Sequence, residues 1–206
     1  MGEGPTRLLI VPALFDEGNR MRRLTALVMR RLAASGIASV LPDLPGLQES
    51  TFPLERASLD LWRGALAGLA MATGARRVLA LRGGALVSPD GLTGWHYAPT
   101  PGTSILRQMT RARIIATREA GREEKHDALL ALGRTEGLDL AGYRLGPAMI
   151  ADLESAQAPH DDITLIGHEM LDGSPLWLRA EPGENHEQAD TLAAIIAVGM
   201  RSEGLA

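Results

Sequence analysis

The stretch Arg77-Val78-Leu79-Ala80-Leu81-Arg82-Gly83-Gly84 decides the fold class of this 206-residue chain. Its apolar part predicts a short buried strand, and the pair of glycines predicts a tight turn directly after that strand. Other short apolar runs, at 8–14, 37–41, 95–98 and 163–166, also predict strands, and amphipathic stretches of helical period separate most of them. Such alternation predicts an α/β fold in which helices flank a mostly parallel central sheet.

The helical stretches carry their own start and stop signals. Asn19 is a residue type that caps helices, and Gly36 is one that ends them. Further along, the pattern predicts a second helix at 54–71, a helical insertion at about 103–140, a last strand at 176–180, and a C-terminal helix. Because the chain has no internal repeat and no low-complexity linker, residues 1–206 are predicted to form a single domain.

The composition excludes several classes of function. The formal net charge of −4 gives no electrostatic basis for binding nucleic acid. The chain has no cysteine, which excludes disulfides, thiolate metal sites and a cysteine nucleophile. No secretion-signal pattern begins the chain, and no apolar run approaches the roughly 18 residues that a membrane span requires. We therefore expect a cytoplasmic protein without a membrane span.

The order of several motifs resembles that of a known protein family. VPALFDEGNRMRR at 11–23, VLPDLPG at 40–46 and LALRGGALV at 79–87 are similar to the exosortase A system-associated hydrolase 2 proteins of bacterial exopolysaccharide loci. GWHYAPTPGTSILRQMTRARI, LAGYRLGPAMIADL and PLWLRAEPG follow in the matching order, so the resemblance covers most of the chain. It implies an α/β-hydrolase-like fold, a hydrolase-like role in exopolysaccharide biosynthesis or export, and a protein partner from that system.

The resemblance aligns Ala80-Leu81-Arg82-Gly83-Gly84 with the nucleophile turn of such hydrolases, whose pattern is G-x-S-x-G. Arg82 occupies the position of the serine, and a guanidinium stays protonated and cannot attack a carbonyl. The ordinary acyl-enzyme route is therefore closed. Two functions stay open, namely hydrolase-like enzyme action without the ordinary serine, and a catalytically inactive pseudo-hydrolase that binds a ligand or a protein.

The other members of a hydrolase site have candidates as well. The resemblance places His186 in the loop that delivers the catalytic histidine, and Asp172 and Glu169, which follow the strand at 163–166, are the candidates for the acid of the triad. We predict no metal and no other cofactor, because the nearest group of histidines and aspartates fits no familiar ligand spacing: His160, Asp161, Asp162 and His168.

The loop at 15–19 stands where such hydrolases bind an oxyanion through backbone N–H groups. Glu17 and Asn19 in this loop, and Gly83 in the turn beside Arg82, are candidate ligand-binding residues. Glu17 has two alternative roles. It either pairs with Arg82, which closes the site, or points away and leaves Arg82 to bind a small anionic ligand such as a carboxylate or a phosphate.

Overall fold

Five parallel strands form the central sheet of the protein. The computed structural model describes residues 7–159 and 161–202. In chain order, its strands are β1 (Arg7–Val11), β2 (Ala38–Val40), β3 (Ala75–Leu81), β4 (Thr93–Tyr97), β5 (Leu138–Leu140), β6 (Tyr143–Leu145) and β7 (Ile163–Ile166). The sheet has the order β2-β1-β3-β4-β7, while β5 and β6 form a separate antiparallel pair. The carboxyl ends of the five parallel strands therefore meet at one edge of the sheet.

Helices cover both faces of this sheet. Within the described residues the α-helices are α1 (Asp16–Ala34), α2 (Leu59–Thr73), α3 (Gly102–Glu119), α4 (His126–Glu136), α5 (Pro147–Ser155) and α6 (His186–Ser202). Short 3-10 helices occupy Leu54–Arg56, Arg82–Val87, His168–Met170 and Leu176–Leu178. The helices α1 and α6 pack on one face, and α2, α3 and α5 pack on the other. None of the described helices combines the length and the apolar character needed to cross a membrane.

The strand β1 illustrates why the apolar runs are continuous. Leu8 and Ile10 are fully buried in the layer of α1 and α6, while Leu9 and Val11 are fully buried in the opposite layer. A parallel strand with helices on both faces buries every residue, so it carries apolar side chains at consecutive positions. The predicted α/β class with a mostly parallel, helix-flanked sheet is confirmed.

Two predicted elements near the chain's middle and end are wrong in detail. The helix at 54–71 is interrupted, because Ser58 accepts a hydrogen bond from the Leu61 N–H at 3.1 Å and caps α2 at its true start. The strand at 176–180 does not form. Instead, Leu176–Leu178 makes one 3-10 turn that buries Leu176 and Trp177 against the core. A short apolar run does not by itself distinguish these conformations.

The insertion and the first helix also differ from the prediction. The region at 103–140 contains α3 and α4, but the hairpin of β5 and β6 was not predicted. Asn19 does not cap α1, because that helix already begins at Asp16. Phe15 takes the cap position with φ 54° and ψ −132°, and no side chain caps the helix there. The expected loop at 15–19 is therefore the cap and the first turn of α1.

Candidate functional site

The turn after β3 lies where the resemblance predicts a nucleophile elbow, and this turn at 80–84 is named the elbow. The central strand of the sheet ends at Leu81, and Arg82 follows in the left-handed region with φ 53°. The 3-10 helix Arg82–Val87 begins at that residue. For a residue with a Cβ, the left-handed conformation costs about 1–2 kcal/mol, so surrounding packing must hold it in place.

Gly84 shows what holds the turn. A Cβ on this residue would lie 2.3 Å from the carbonyl oxygen of Pro12 and 2.9 Å from that of Val11. Both of these atoms are backbone, so no side-chain rotation makes room. Gly83 is confined as well, because its Cβ would lie 2.7 Å from Cδ1 of Ile105. The elbow is thus pressed against the end of β1, which requires small residues there.

Three groups hold the Arg82 side chain. Its Nε and Nη2 donate to the two carboxylate oxygens of Glu17, at 3.0 and 3.1 Å. Its Nη1 donates to the carbonyl oxygen of Ala98 at 2.6 Å, and its guanidinium carbon lies 4.1 Å from the centre of the Trp177 ring. Only 14% of the Arg82 side chain and 11% of the Glu17 side chain are exposed. Glu17 therefore pairs with Arg82 rather than pointing away from it.

Backbone conformation aims both partners at Arg82. Ala98 directly follows β4 with φ 44°, and it presents its carbonyl to the guanidinium. Phe15 turns the chain into α1, so Glu17 lies in the first turn of that helix, where a negative charge is favoured. The Phe15 ring is anchored against Trp62, with ring centres 5.8 Å apart.

An aromatic cluster of Tyr97, His168 and Trp177 lies beside the ion pair. The ring centres of Tyr97 and His168 lie 5.9 and 4.9 Å from that of Trp177, both edge-on. His168 Nε2 is 3.0 Å from the carbonyl oxygen of Gly173, which only accepts, so Nε2 carries the proton. In the neutral ring, Nδ1 then accepts from the Tyr97 hydroxyl at 2.6 Å.

Tyr97 remains protonated at neutral pH. Burial raises the pKa of its hydroxyl well above the ordinary value of 10.0, and the nearby Arg82 guanidinium lowers this pKa by a smaller amount. The net shift is upward. The Tyr97 oxygen is therefore a hydrogen-bond donor in the folded protein and not a nucleophile.

The candidate histidine and the candidate acid Asp172 do not contact Arg82. His186 begins α6 with 63% of its side chain exposed, and its Nε2 is 3.8 Å from Glu184 Oε1. Its Nδ1 is 3.2 Å from Nη2 of Arg31. Asp172 is exposed. Within residues 7–159 and 161–202, no hydrogen bond or ion pair joins His186 or Asp172 to Arg82.

The remaining candidates divide between the elbow and the surface. Gly83 lies in the elbow directly behind Arg82. Asn19 is exposed, and its Oδ1 accepts from Gln48 Nε2 at 3.1 Å. The structure thus brings together Arg82, Glu17 and Gly83, and it leaves Asn19, His186 and Asp172 outside their contacts.

Sequence reasoning missed the groups that complete the surroundings of Arg82. Tyr97 and Ala98 stand at the end of β4, the strand that pairs with β3. Because neighbouring parallel strands end at the same edge, this position was a signal that the sequence offered. Trp177 lies in the segment that was predicted as a strand, and that assignment concealed its contact with Arg82.

The described residues leave little room for a ligand or a metal at the elbow. The cavity beside Glu17 has a volume of about 90 Å³, and Phe15, Arg20, Gln108 and Met109 are among its lining residues. No group of three histidines or carboxylates in the described part of the chain is placed to hold a metal ion. His160 lies outside the described residues.

Comparisons with known proteins identify the fold. No protein-family model matches the chain, and no curated protein matches its sequence. The chain is similar to the structure of 1H-3-hydroxy-4-oxoquinoline 2,4-dioxygenase, with a TM-score of 0.51 and 16% identity over 98% of this chain and 93% of that one. Mouse α/β hydrolase domain-containing protein 10 gives a TM-score of 0.49 and 14% identity over 100% and 92% of the two chains. The bottromycin epimerase BotH gives 0.46 and 13% over 100% and 92%.

At these identities the likeness concerns the fold and does not extend to activity. The dioxygenase matches over nearly the whole length of both chains. The parallel sheet and the left-handed residue after its central strand agree with that match. The chain has an α/β-hydrolase-like fold.

Proposed function

We propose that this protein is a catalytically inactive member of the α/β-hydrolase fold that acts as a binding scaffold in bacterial exopolysaccharide biosynthesis or export. The Arg82–Glu17 ion pair at the nucleophile position carries the proposal. A serine enzyme needs an exposed hydroxyl there, with a histidine beside it. Here the position holds a cation whose donors are directed at protein acceptors. The exopolysaccharide setting rests on the resemblance of the motifs between Leu8 and Ile196.

The alternative is hydrolase-like enzyme action by another nucleophile. Ser88 is the first serine after the elbow, but it is 2% exposed. Ser104 lies in the first turn of α3, on a helix rather than in an elbow. Tyr97 keeps its proton, as described above. Tyr97 does have a base beside it in His168, but it is fully buried, so no substrate reaches its hydroxyl. None of these side chains is an accessible, activated nucleophile in an elbow, so the scaffold is the better-supported function. In this proposal residues 1–206 act as one domain.

A labelling experiment tests the absence of catalysis. The purified protein is treated with a fluorophosphonate probe, and its turnover of activated esters is measured in parallel. We expect no covalent labelling and no turnover above the background of the buffer, because Arg82 offers no nucleophile. Stoichiometric labelling of Ser88 or Ser104, or ester turnover that His186→Ala abolishes, would overturn the proposal.

A complementation experiment tests the scaffold role itself. In a bacterium whose exopolysaccharide locus encodes this protein, deletion of its gene should reduce polysaccharide export. His186→Ala and Ser88→Ala should both restore export to the level of the unaltered gene, because neither residue performs chemistry in the proposed role. Loss of export with a folded His186→Ala variant would favour the enzyme. Unchanged export after the deletion would remove the exopolysaccharide assignment.

A further inference from the structure

A second and larger cavity lies away from Arg82, between α1 and the segment that follows β2. Its volume is about 220 Å³. Pro12 and Ala13 line it from the end of β1, and Leu41 and Pro42 line it from the end of β2. Clefts at the carboxyl ends of parallel strands are the common ligand positions of α/β folds. Arg82 and Glu17 do not line this cavity, so a ligand bound here does not depend on the function proposed for the elbow.

The inner wall of this cavity is apolar. Phe15, Leu44 and Leu47 line it with residue exposures of 3%, 1% and 7%. Leu41 adds a fourth apolar side chain that is partly buried. Such a wall binds a small hydrocarbon group, since burying each CH₂ group contributes about 0.8 kcal/mol.

The rim of the cavity carries two opposite charges. Arg22 and Asp43 both line it and both are exposed. They do not form an ion pair with each other, and neither has an ion pair elsewhere in the described part of the chain. The Arg22 Nη1 donates to Gln48 Oε1 over 3.4 Å, which is long for a hydrogen bond. Most of the Arg22 donors and the Asp43 carboxylate are therefore available to a ligand.

Gln48 joins the segment after β2 to α1 beside this rim. Its backbone lies in the left-handed region with φ 53°, and its Nε2 donates to Asn19 Oδ1 at 3.1 Å. Because the Gln48 amide is neutral, its contact with Arg22 leaves the charge of the guanidinium without a counter-charge.

We propose that this cavity binds a free α-amino acid with an apolar side chain. The ligand carboxylate lies against the Arg22 guanidinium, which matches a carboxylate with paired donors. The ligand ammonium lies against the Asp43 carboxylate, and the side chain enters the wall formed by Phe15, Leu44 and Leu47. A volume of 220 Å³ corresponds to about seven water molecules in the liquid, which suits a leucine and is small for a drug-sized ligand.

Isothermal titration calorimetry on the intact protein tests this assignment. The probes are L-leucine, leucinamide, which lacks the carboxylate, and N-acetyl-leucine, which lacks the ammonium. We expect leucine to bind, and each analogue to bind at least about tenfold more weakly because one charged contact is missing. Arg22→Gln should lower the affinity for leucine about tenfold and leave the affinity for leucinamide unchanged. Asp43→Asn should likewise lower the affinity for leucine about tenfold, and it should leave the affinity for N-acetyl-leucine unchanged.

Two neighbouring substitutions serve as matched controls. Arg23→Gln and Glu49→Gln remove the same charges from exposed positions that do not line the cavity. Both should leave the affinity for leucine unchanged, and thermal unfolding should show that all four variants fold. The proposal is overturned if no apolar amino acid binds at millimolar concentration, if leucinamide binds as tightly as leucine, or if Arg23→Gln weakens binding as much as Arg22→Gln does.

Discussion

The turn after β3 and the segment after β7 are the two regions in which the sequence resemblance predicts a hydrolase site, and they differ in how the fold holds the predicted residues. The elbow follows the central strand, and Gly84 in it lies against the backbone of Pro12. The segment at 167–185 follows the edge strand β7 and contains two short 3-10 helices but no further strand. His186, the first residue of α6, directly follows this segment, and its side chain is largely exposed.

The difference shows that elbow geometry is a property of packing and does not depend on the serine. Arg82 keeps a left-handed φ because Gly84 fits against Pro12 and because Glu17 and Ala98 bind its side chain. Packing and these hydrogen bonds therefore account for the conformation of the elbow.

The far segment is held by other contacts. Gln188 Nε2 donates to the carbonyl oxygens of Asp172 and Ser174 at 2.9 and 3.1 Å, but these contacts do not bring Asp172 or His186 to Arg82.

The largest effect is expected from Arg82→Ala. This change leaves the Glu17 carboxylate nearly buried without its cation, and it also leaves the Ala98 carbonyl without its donor. Breaking one side of such a pair costs about 3 kcal/mol or more. Urea unfolding followed by circular dichroism should show a loss of that size in the free energy of unfolding.

Two controls sharpen the Arg82 result. Arg134→Ala breaks an ion pair with Glu154 in which 53% of the arginine side chain is exposed, so it should lower the free energy of unfolding far less than Arg82→Ala does. The double change Glu17→Gln with Arg82→Met should cost less than the sum of the two single changes, because the groups are coupled. Equal losses from Arg82→Ala and Arg134→Ala would mean that the elbow pair contributes no more than a surface contact.

The second prediction compares one glycine from each region. Gly84→Ala places a Cβ 2.3 Å from the Pro12 carbonyl oxygen, and Gly183→Ala places one 2.8 Å from Nη1 of Arg179. The first neighbour is backbone, and the second is the end of a flexible side chain. We expect Gly84→Ala to lower the free energy of unfolding by about 1–3 kcal/mol through overpacking, and Gly183→Ala to change it by less than about 0.5 kcal/mol. Similar losses in chemical denaturation would remove the distinction between the two regions.

The same contrast explains what the sequence could predict. The runs containing Leu8–Val11 and 78–81 were recognisable because strands buried on both faces must be apolar throughout. The pairing of Glu17 with Arg82 was one of two open alternatives, since opposite charges on two converging loops are visible in a sequence. The sequence does not show that both carboxylate oxygens of Glu17 accept from Arg82.

The rest of the site depends on contacts between distant segments. The Ala98 carbonyl is a backbone group, so the residue type at this position does not indicate that it accepts from Arg82. Trp177 belongs to a short apolar run, which is equally compatible with a strand and with a 3-10 turn. The tertiary packing of this ring beside Arg82 and Tyr97 decided the conformation, and a local pattern carries no information about that packing.

The third prediction tests the aromatic cluster through pH. The pKa of Tyr97 is raised in the folded protein, so this group stabilises the fold below its ordinary pKa of about 10, and the contribution is lost as the pH rises above that value. By pH 11 the loss should reach about 1 kcal/mol. Tyr97→Phe should be less stable than the unaltered protein near neutral pH, because the hydrogen bond to His168 is missing. Urea unfolding between pH 8 and pH 11, measured for both proteins, should show this difference in the free energy of unfolding shrinking by about 1 kcal/mol; a constant difference would contradict the raised pKa.

The smallest effects distinguish two adjacent residues at the start of α6. Asn185 Oδ1 accepts from the Gln188 N–H at 3.0 Å, which caps the helix, whereas His186 is exposed and has only surface partners. Asn185→Ala should therefore lower the free energy of unfolding by about 1 kcal/mol, and His186→Ala should change it by less than about 0.5 kcal/mol. Both values come from the same urea titrations at neutral pH. If the order were reversed, His186 would have a structural partner in solution, and the segment after β7 would be held more firmly than its contacts indicate. If the predicted order holds, the segment supports its helix through Asn185, and His186, which the resemblance makes the candidate histidine, contributes little to the stability of the fold.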